Sequence, residues 1–244
     1  RRDPGIEEQA LGLGIADNLV GLVLSQLVNP GCPFMGSCFI DMMDMQTTSF
    51  AMTAPELALG GGASADVYRY LKLPCVCHMG MTDSPVLDAQ AAMDLTAQLY
   101  TAMLSGSSLN FFSGFLETAM TGSLEPLYFA NDTIGYLDHI VGGLAISDET
   151  LALDVIDEVG PEGNFLGEEH TLEHYRENWR PGVLSRQNYT AFTEDGSADY
   201  RARANRSVKK ILAEGVRRPL PPEVTARLDE IMEDACLKLK AEKE

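Results

Sequence analysis

Apolar residues at mostly three- and four-residue steps, Leu11, Ile15, Leu19, Leu22, Val23 and Leu27, predict a helix over residues 6–28 that Asn29-Pro30-Gly31 stops. Residues 34–40 are short, apolar and Gly-containing, the pattern of a buried parallel strand. Thr53 and Glu56 then have the spacing of a capping box, opening a helix to about residue 71. A second apolar run, 73–79, predicts another strand. Ser84-Pro85 offers an N-cap and a first-turn proline for a helix to about residue 104, which Ser105-Gly106 ends. A third run, 109–116, precedes a helix over about residues 123–141.

Successive strand-then-helix units predict the α/β class, with a parallel sheet covered by helices. Polar residues gather after each strand, at 41–48, at Thr82-Asp83-Ser84 and at 117–121, where (β/α) barrels keep their chemistry. A TIM-type (β/α) barrel is therefore expected over an open doubly wound sheet. Beyond Ser147 the character changes. Ser147-Asp148-Glu149 caps a short helix closed by Gly160-Pro161, and charged helices follow over roughly 171–177, 199–214 and 222–240. The expected division is a barrel segment over 1–146 and a helical C-terminal extension over 147–244, packed on the barrel.

Charge narrows the partners. With 18 Lys+Arg against 36 Asp+Glu, the formal net charge is −18, and such a surface repels phosphate backbones and anionic lipids. Nucleic acid and membrane surfaces are not expected partners. A chain of 244 residues that is 45% hydrophobic can bury a sizeable core. Its 5 cysteines, Cys32, Cys38, Cys75, Cys77 and Cys236, are odd in number and scattered among apolar runs, which fits reduced thiols and a cytoplasmic location. No membrane span is expected, because Asp17, Asn18, Ser25 and Gln26 interrupt the apolar run over 11–28. The opening Arg1-Arg2-Asp3-Pro4-Gly5 has neither an initiator Met nor an apolar signal centre, so the chain is expected to be truncated at its start.

Several constellations suggest chemistry. His170-Thr171-Leu172-Glu173-His174 matches H-x-x-E-H, in which two imidazoles bind zinc and the Glu activates water, against the ordinary reading of a docking helix. In Cys75-Val76-Cys77-His78, strand alternation puts Cys75, Cys77 and Met79 on one face and Val76 and His78 on the other, so buried thiols are expected rather than one metal site. Gly60-Gly61-Gly62 falls inside a predicted helix and reads as close packing rather than a phosphate cradle. Asp138-His139 has its Asp and His adjacent, unlike the D-x-H-x-x-G that offers His to cobalt, so no cobalt ligand is expected in this chain. Phe111-Phe112-Ser113-Gly114-Phe115, with Glu117 after it, combines ring faces with a carboxylate, a combination that attracts an alkylammonium ion; core packing is the alternative for at least one ring.

Five further segments follow one another along the chain: Asp44-Met45-Gln46-Thr47, Ala54-Pro55-Glu56, Thr82-Asp83-Ser84 with Asp88-Ala89-Gln90, Leu116-Glu117 through Ser123-Leu124-Glu125, and Gly163-Asn164-Phe165-Leu166 with His170-Thr171-Leu172. Their order resembles the trimethylamine:corrinoid methyltransferase family. The resemblance implies a (β/α) barrel, of which this chain would be the C-terminal half, that moves a methyl group from a methylated amine to the Co(I) corrinoid (cobalamin) of a partner protein. It implies no cofactor or metal bound by this chain. Founding members of that family carry pyrrolysine and many relatives lack it; this sequence has none, and a pyrrolysine-free site suits a permanently cationic donor such as a quaternary amine. Many relatives have Arg at the position of Gln46, so its absence argues against glycine betaine itself.

The expected substrate-binding set is His78, Thr82, Asp83, Phe112, Phe115, Glu117 and Gln46, with no bond-making side chain. Two other classes stand beside it: a zinc-dependent hydrolase using His170, Glu173 and His174, and a non-catalytic barrel that binds a methylated osmolyte. A barrel half would leave Phe34, Phe39, Val76 and Phe111 uncovered, so a missing N-terminal half or a homo-oligomeric partner is expected to cover them.

Overall fold

The structure, a computed structural model, describes residues 6–215 and 218–241; the opening pentapeptide lies outside them. The chain divides into two compact units, Arg1–Asn205 and Arg206–Glu244. In the first, α1 (Ile6–Val28) is followed by β1 (Gly36–Ser37), the hairpin β2 (Met43–Asp44) and β3 (Ser49–Phe50), then α2 (Pro55–Tyr70), β4 (Cys75–His78) and α3 (Ala89–Ser105). Next come β5 (Leu109–Phe111), the hairpin β6 (Phe115–Leu116) and β7 (Thr121–Gly122), and α4 (Leu124–Gly142). Short helices α5 (Asp148–Leu151), α6 (Leu153–Val159), α7 (Glu169–His174) and α8 (Tyr189–Glu194) precede α9 (Tyr200–Glu214), which runs across the unit boundary. The second unit also holds α10 (Pro222–Ala241), a helix with surface ion pairs such as Arg227–Glu230 and Lys238–Asp234.

The central sheet is parallel, in the order β1-β4-β5, with His78 opposite Phe111 and Gly36 opposite Cys75. This is the α/β class expected from alternating strands and helices. No closed barrel forms among the described residues, and β1 and β5 each keep one edge without a strand partner. The strands are shorter than the apolar runs because side chains take over the ladder. Asn18 Oδ1 accepts from Ser37 N–H, and Asn110 both accepts from Met79 N–H and donates to the Met79 carbonyl. The run over 109–116 is broken where Phe112 and Gly114 take positive φ, +80° and +99°.

Two predicted helix starts are corrected. The Thr53 hydroxyl donates to Asp83 at 2.7 Å instead of capping, because a carboxylate is the stronger acceptor; Ala54 is the N-cap, followed by Pro55. Ser84 folds into a turn, donating to the Val86 carbonyl, and α3 begins later, with Asp88 accepting from Ala91 N–H. The Ser147 capping box with Thr150 forms.

One face of the sheet is packed. Cys38, Cys75, Cys77 and Met79 are buried with Ile15, Ala65 and Tyr68, and α2 lies so close that a Cβ on Gly61 would fall 2.2 Å from Met79 Cε. The glycine run is thus a close-packing feature, as its place in a helix predicts. Residues 147–205 are knit into the same unit, since Asp132 on α4 accepts from the backbone of Gly182, Val183 and Leu184. By length and composition α1 is long and apolar enough to cross a membrane, despite the polar residues that predicted otherwise. Here it lies on the sheet through Leu11, Ile15 and Leu19, while Val20, Val23, Leu24 and Leu27 stay exposed.

Candidate active site at the strand ends

Because His78 and Phe111 are cross-strand neighbours, their side chains rise on the same face of the sheet. Phe39 stacks on the His78 imidazole with centroids 3.1 Å apart, Phe111 meets it edge-on at 4.2 Å, and Phe112 stacks on Phe111 at 4.6 Å. Phe115 joins through Phe112 at 5.4 Å, making a continuous group of rings at the strand ends. Phe39 and Phe111 remain 47% and 44% exposed, so this face is open where the opposite face is closed. His78 is buried, and loss of water pushes its pKa down to about 4, leaving a neutral imidazole. Its Nδ1 is buried without a hydrogen-bond partner, an orphan that a native structure rarely keeps without purpose.

The loop beside the rings is strained and held in place. Glu117, Thr118 and Ala119 all have φ between +53° and +63°, a conformation costing roughly 1–2 kcal/mol per non-glycine residue. Three bonds fix it: Glu117 N–H to the Ser84 carbonyl, Thr118 N–H to the Thr82 carbonyl, and the Thr118 hydroxyl to Asp83. Such strain persists only where its surroundings over-determine it, and it gathers at functional sites. The Glu117 carboxylate stands exposed, accepting from the Thr121 hydroxyl at 2.7 Å.

The structure brings His78, Phe112 and Phe115 together with Phe111, the first ring of the aromatic run, and adds Phe39, which the sequence pattern marks only as apolar sheet face. Thr82 and Asp83 act behind them. Thr82 is fully buried, donating to Asp94 at 2.7 Å and accepting from Ser84 N–H at 3.0 Å. Asp83 accepts from Met52 N–H, Thr53 N–H, the Thr53 hydroxyl and the Thr118 hydroxyl, so its carboxylate joins three loops and is filled by protein donors. Gln46 lies exposed in the β2–β3 hairpin, its N–H bonded to Asp44; no hydrogen bond among the described residues joins it to the rings.

Gln98 was missed by sequence reading. Its Oε1 accepts from Gly80 and Met81 N–H while its Nε2 donates to the Met81 and Met52 carbonyls, bracing the end of β4. Asp94 and Gln98, four apart on the buried stripe of α3, were the available signal. Burial raises the Asp94 pKa. Elsewhere, an open trough of about 820 Å³ runs between Val86, Leu116, Glu125 and Arg201, but Glu125 already accepts from Ser123 and Asn205, and none of the clustered rings lines it. Cys38 and Cys77 are buried thiols whose pKa values burial raises. His170 and His174 approach Glu149, whereas Glu173 is exposed outside that group.

Residues 8–236 match the trimethylamine methyltransferase (MTTB) family. The chain belongs to that family. It is 32% identical over 216 residues to the trimethylamine methyltransferase MttB of Desulfitobacterium hafniense, covering 88% of this chain and 44% of that protein. A glycine betaine methyltransferase from another strain of that species is 33% identical over 222 residues, covering 89% of this chain and 46% of that protein. The trimethylamine methyltransferase MttB of Methanosarcina thermophila is 28% identical over 209 residues, 86% and 43% of the two chains. The chain thus spans less than half the length of these relatives. Membership does not favour the zinc-hydrolase alternative, and the exposed position of Glu173 agrees. Residues that carry the trimethylamine methyltransferase resemblance mostly organise loops: Asp44 ties the hairpin through Thr47, Asp83 clamps the strand ends, Asp88 caps α3, and Asn164 accepts from Leu166 N–H.

Proposed function

We propose that the protein acts as a methyltransferase, moving a methyl group from a methylated amine, preferentially a quaternary one, to the Co(I) corrinoid of a separate partner protein. Family membership supports the reaction class, and two relatives are named for trimethylamine and glycine betaine. The observation that carries the donor type is the ring cluster of Phe39, His78, Phe111, Phe112 and Phe115 on the open face. Ring faces attract an ammonium by roughly 0.5–2 kcal/mol per contact, depending on desolvation. His78, neutral with a pKa near 4, adds no positive charge beside such a cation. Glu117 supplies negative charge from the adjoining loop.

The chemistry fits this division of labour. The methyl–nitrogen bond breaks with its electron pair left on nitrogen, so a quaternary donor departs as a neutral amine and needs no proton from the protein. The side chains therefore position the methyl group and exclude water. In this reading the sheet is part of a (β/α) TIM-type barrel, residues 1–146 supply its C-terminal half and 147–244 the helical extension, and the protein works in the cytoplasm. The open edges of β1 and β5 and the greater length of the relatives support completion by an N-terminal half or a second copy. With Gln46 in the hairpin, donors without a carboxylate are favoured over glycine betaine.

The test is calorimetric titration of the full-length protein with a quaternary ammonium and with its neutral carbon isostere, followed by methyl-transfer assay with a reduced corrinoid protein. The cation is expected to bind more tightly and to turn over. Equal affinities would remove the cation site; tight binding without transfer would leave an osmolyte-binding barrel.

A further inference from the structure

Away from the ring cluster, α5 and α7 bring two imidazoles and a carboxylate together. His170 and His174 are one turn apart on α7, with ring centroids separated by 4.4 Å. Glu149, in the first turn of α5, meets both: its Oε1 lies 2.7 Å from His174 Nε2, and its carbonyl oxygen 3.0 Å from His170 Nε2. One donor atom from each of the three residues lies within 4.8 Å of the others. Behind them, Glu177 Oε1 holds His174 Nδ1 at 2.8 Å, the carboxylate–imidazole pairing that fixes the tautomer and direction of a metal-bound histidine. His174 Nε2 is buried and, although close to Glu149, makes no properly directed hydrogen bond.

We propose that Glu149, His170 and His174 form a binding site for a divalent transition ion of the zinc class, which ties α7 to α5 and leaves a coordination position to water. The donor set decides the ion. Two imidazoles and one carboxylate suit zinc, whereas calcium and magnesium take oxygen ligands. Zinc bonds of roughly 2.0–2.2 Å at a tetrahedral angle place ligand atoms about 3.3 Å apart, so the close Glu149–His174 pair must open slightly and the wider-spaced atoms close in, which an exposed Glu149 and partly exposed histidines can do by rotation. On binding, a protonated His174 releases its Nε2 proton to solvent as that nitrogen takes the ion. This proposal assigns no role to Glu173 and does not depend on the methyl-transfer reading. The competing description is a metal-free ion pair in which His174, its pKa raised chiefly by the Glu177 hydrogen bond, is shared between Glu149 and Glu177.

The full-length protein, stripped with a chelator, would be titrated with Zn²⁺ by calorimetry against a competing chelator, with Co²⁺ as a spectroscopic probe. One equivalent is expected to bind, and Co²⁺ to give the visible bands of a low-coordinate N/O site. His170→Ala and His174→Ala should each weaken Zn²⁺ by at least about 10-fold, and Glu177→Gln by roughly 10- to 100-fold through the outer contact. Because the alanine variants could disturb α7, Glu149→Gln, which keeps the shape, should show the same loss, while Glu173→Gln should bind like the parent. Absence of stoichiometric binding at micromolar Zn²⁺ would establish the metal-free ion pair. Uptake unchanged in both Glu149→Gln and His174→Ala would place the ion elsewhere; either result overturns the proposal.

Discussion

The two faces of the parallel sheet are built from alternate residues of the same strands, yet they obey different rules. Toward the helices stand Gly36, Cys38, Cys75 and Cys77, small or slim residues against which α2 settles so closely that its own glycines are needed. On the other face stand Phe39, Leu109 and Phe111, larger, apolar and substantially exposed, with the buried imidazole of His78 among them. The first face has been made to fit a neighbour within the unit. The second keeps aromatic surface available for a ligand or a further layer, as an ammonium site and a barrel interior would require. Packing explains one set of side chains, and the other set has no such explanation inside the described residues.

Filling the packed face should do the most damage. A Cβ at Gly36 would lie 2.0–2.5 Å from three ring atoms of the fully buried Tyr68, which has no room to turn. Gly36→Ala is expected to cost about 3 kcal/mol or more in urea unfolding, at or above the usual range for overpacking. Gly12→Ala, at a helical position with nothing near the added carbon, should instead be neutral or stabilising by up to about 1 kcal/mol. Similar losses at the two glycines would remove the idea of a fitted face. Next in size is the clamp between the faces. Asp83→Ala leaves four donors unmatched and should destabilise by roughly 2–4 kcal/mol, with hydrogen exchange rising first at Met52, Thr53 and Thr118.

The same contrast explains what was legible in the sequence. Helix α1, the helix at Pro222, the strand-then-helix order and the glycine packing could be read because apolar periodicity and small residues are local signals. The cap at Thr53 could not, because its preferred acceptor, Asp83, is 30 residues away. Strand lengths failed for a related reason, since side chains of Asn18 and Asn110 replace ladder bonds from a distance. At the site, residue type marked His78, Phe112 and Phe115, but it could not separate residues that face the open surface from Thr82 and Asp83, whose hydrogen bonds all run to their own protein. That distinction exists only after folding.

His78 gives a smaller effect that links the two regions, because its ring is buried among aromatics while its backbone belongs to β4. Its folded pKa, about 4, lies below the ordinary 6.5, so the unfolded chain binds the proton more readily. Stability from this group is therefore complete above about pH 6.5 and declines as pH falls toward 4, with a slope of at most about 1.4 kcal/mol per pH unit. His78→Leu should flatten the stability profile in that window. An unchanged slope in the variant would mean that the imidazole is hydrated and not enclosed by Phe39 and Phe111.

The smallest effect bears most directly on what the open face is for. Phe112 stacks on Phe111 and touches the rings of His78 and Phe115, so it sits at the centre of the cluster. Leucine keeps most of its apolar bulk and removes only the π face; the unfavourable φ of +80° is present in both forms and largely cancels. If ring quadrupoles hold a cation, Phe112→Leu should weaken a quaternary ammonium by about 2- to 30-fold, which corresponds to roughly 0.5–2 kcal/mol, and leave the neutral carbon isostere nearly unchanged. A loss shared equally by the two ligands would instead assign Phe112 to simple apolar contact. The open face would then resemble the packed one after all, as a surface awaiting another layer of protein and not a positively charged substrate.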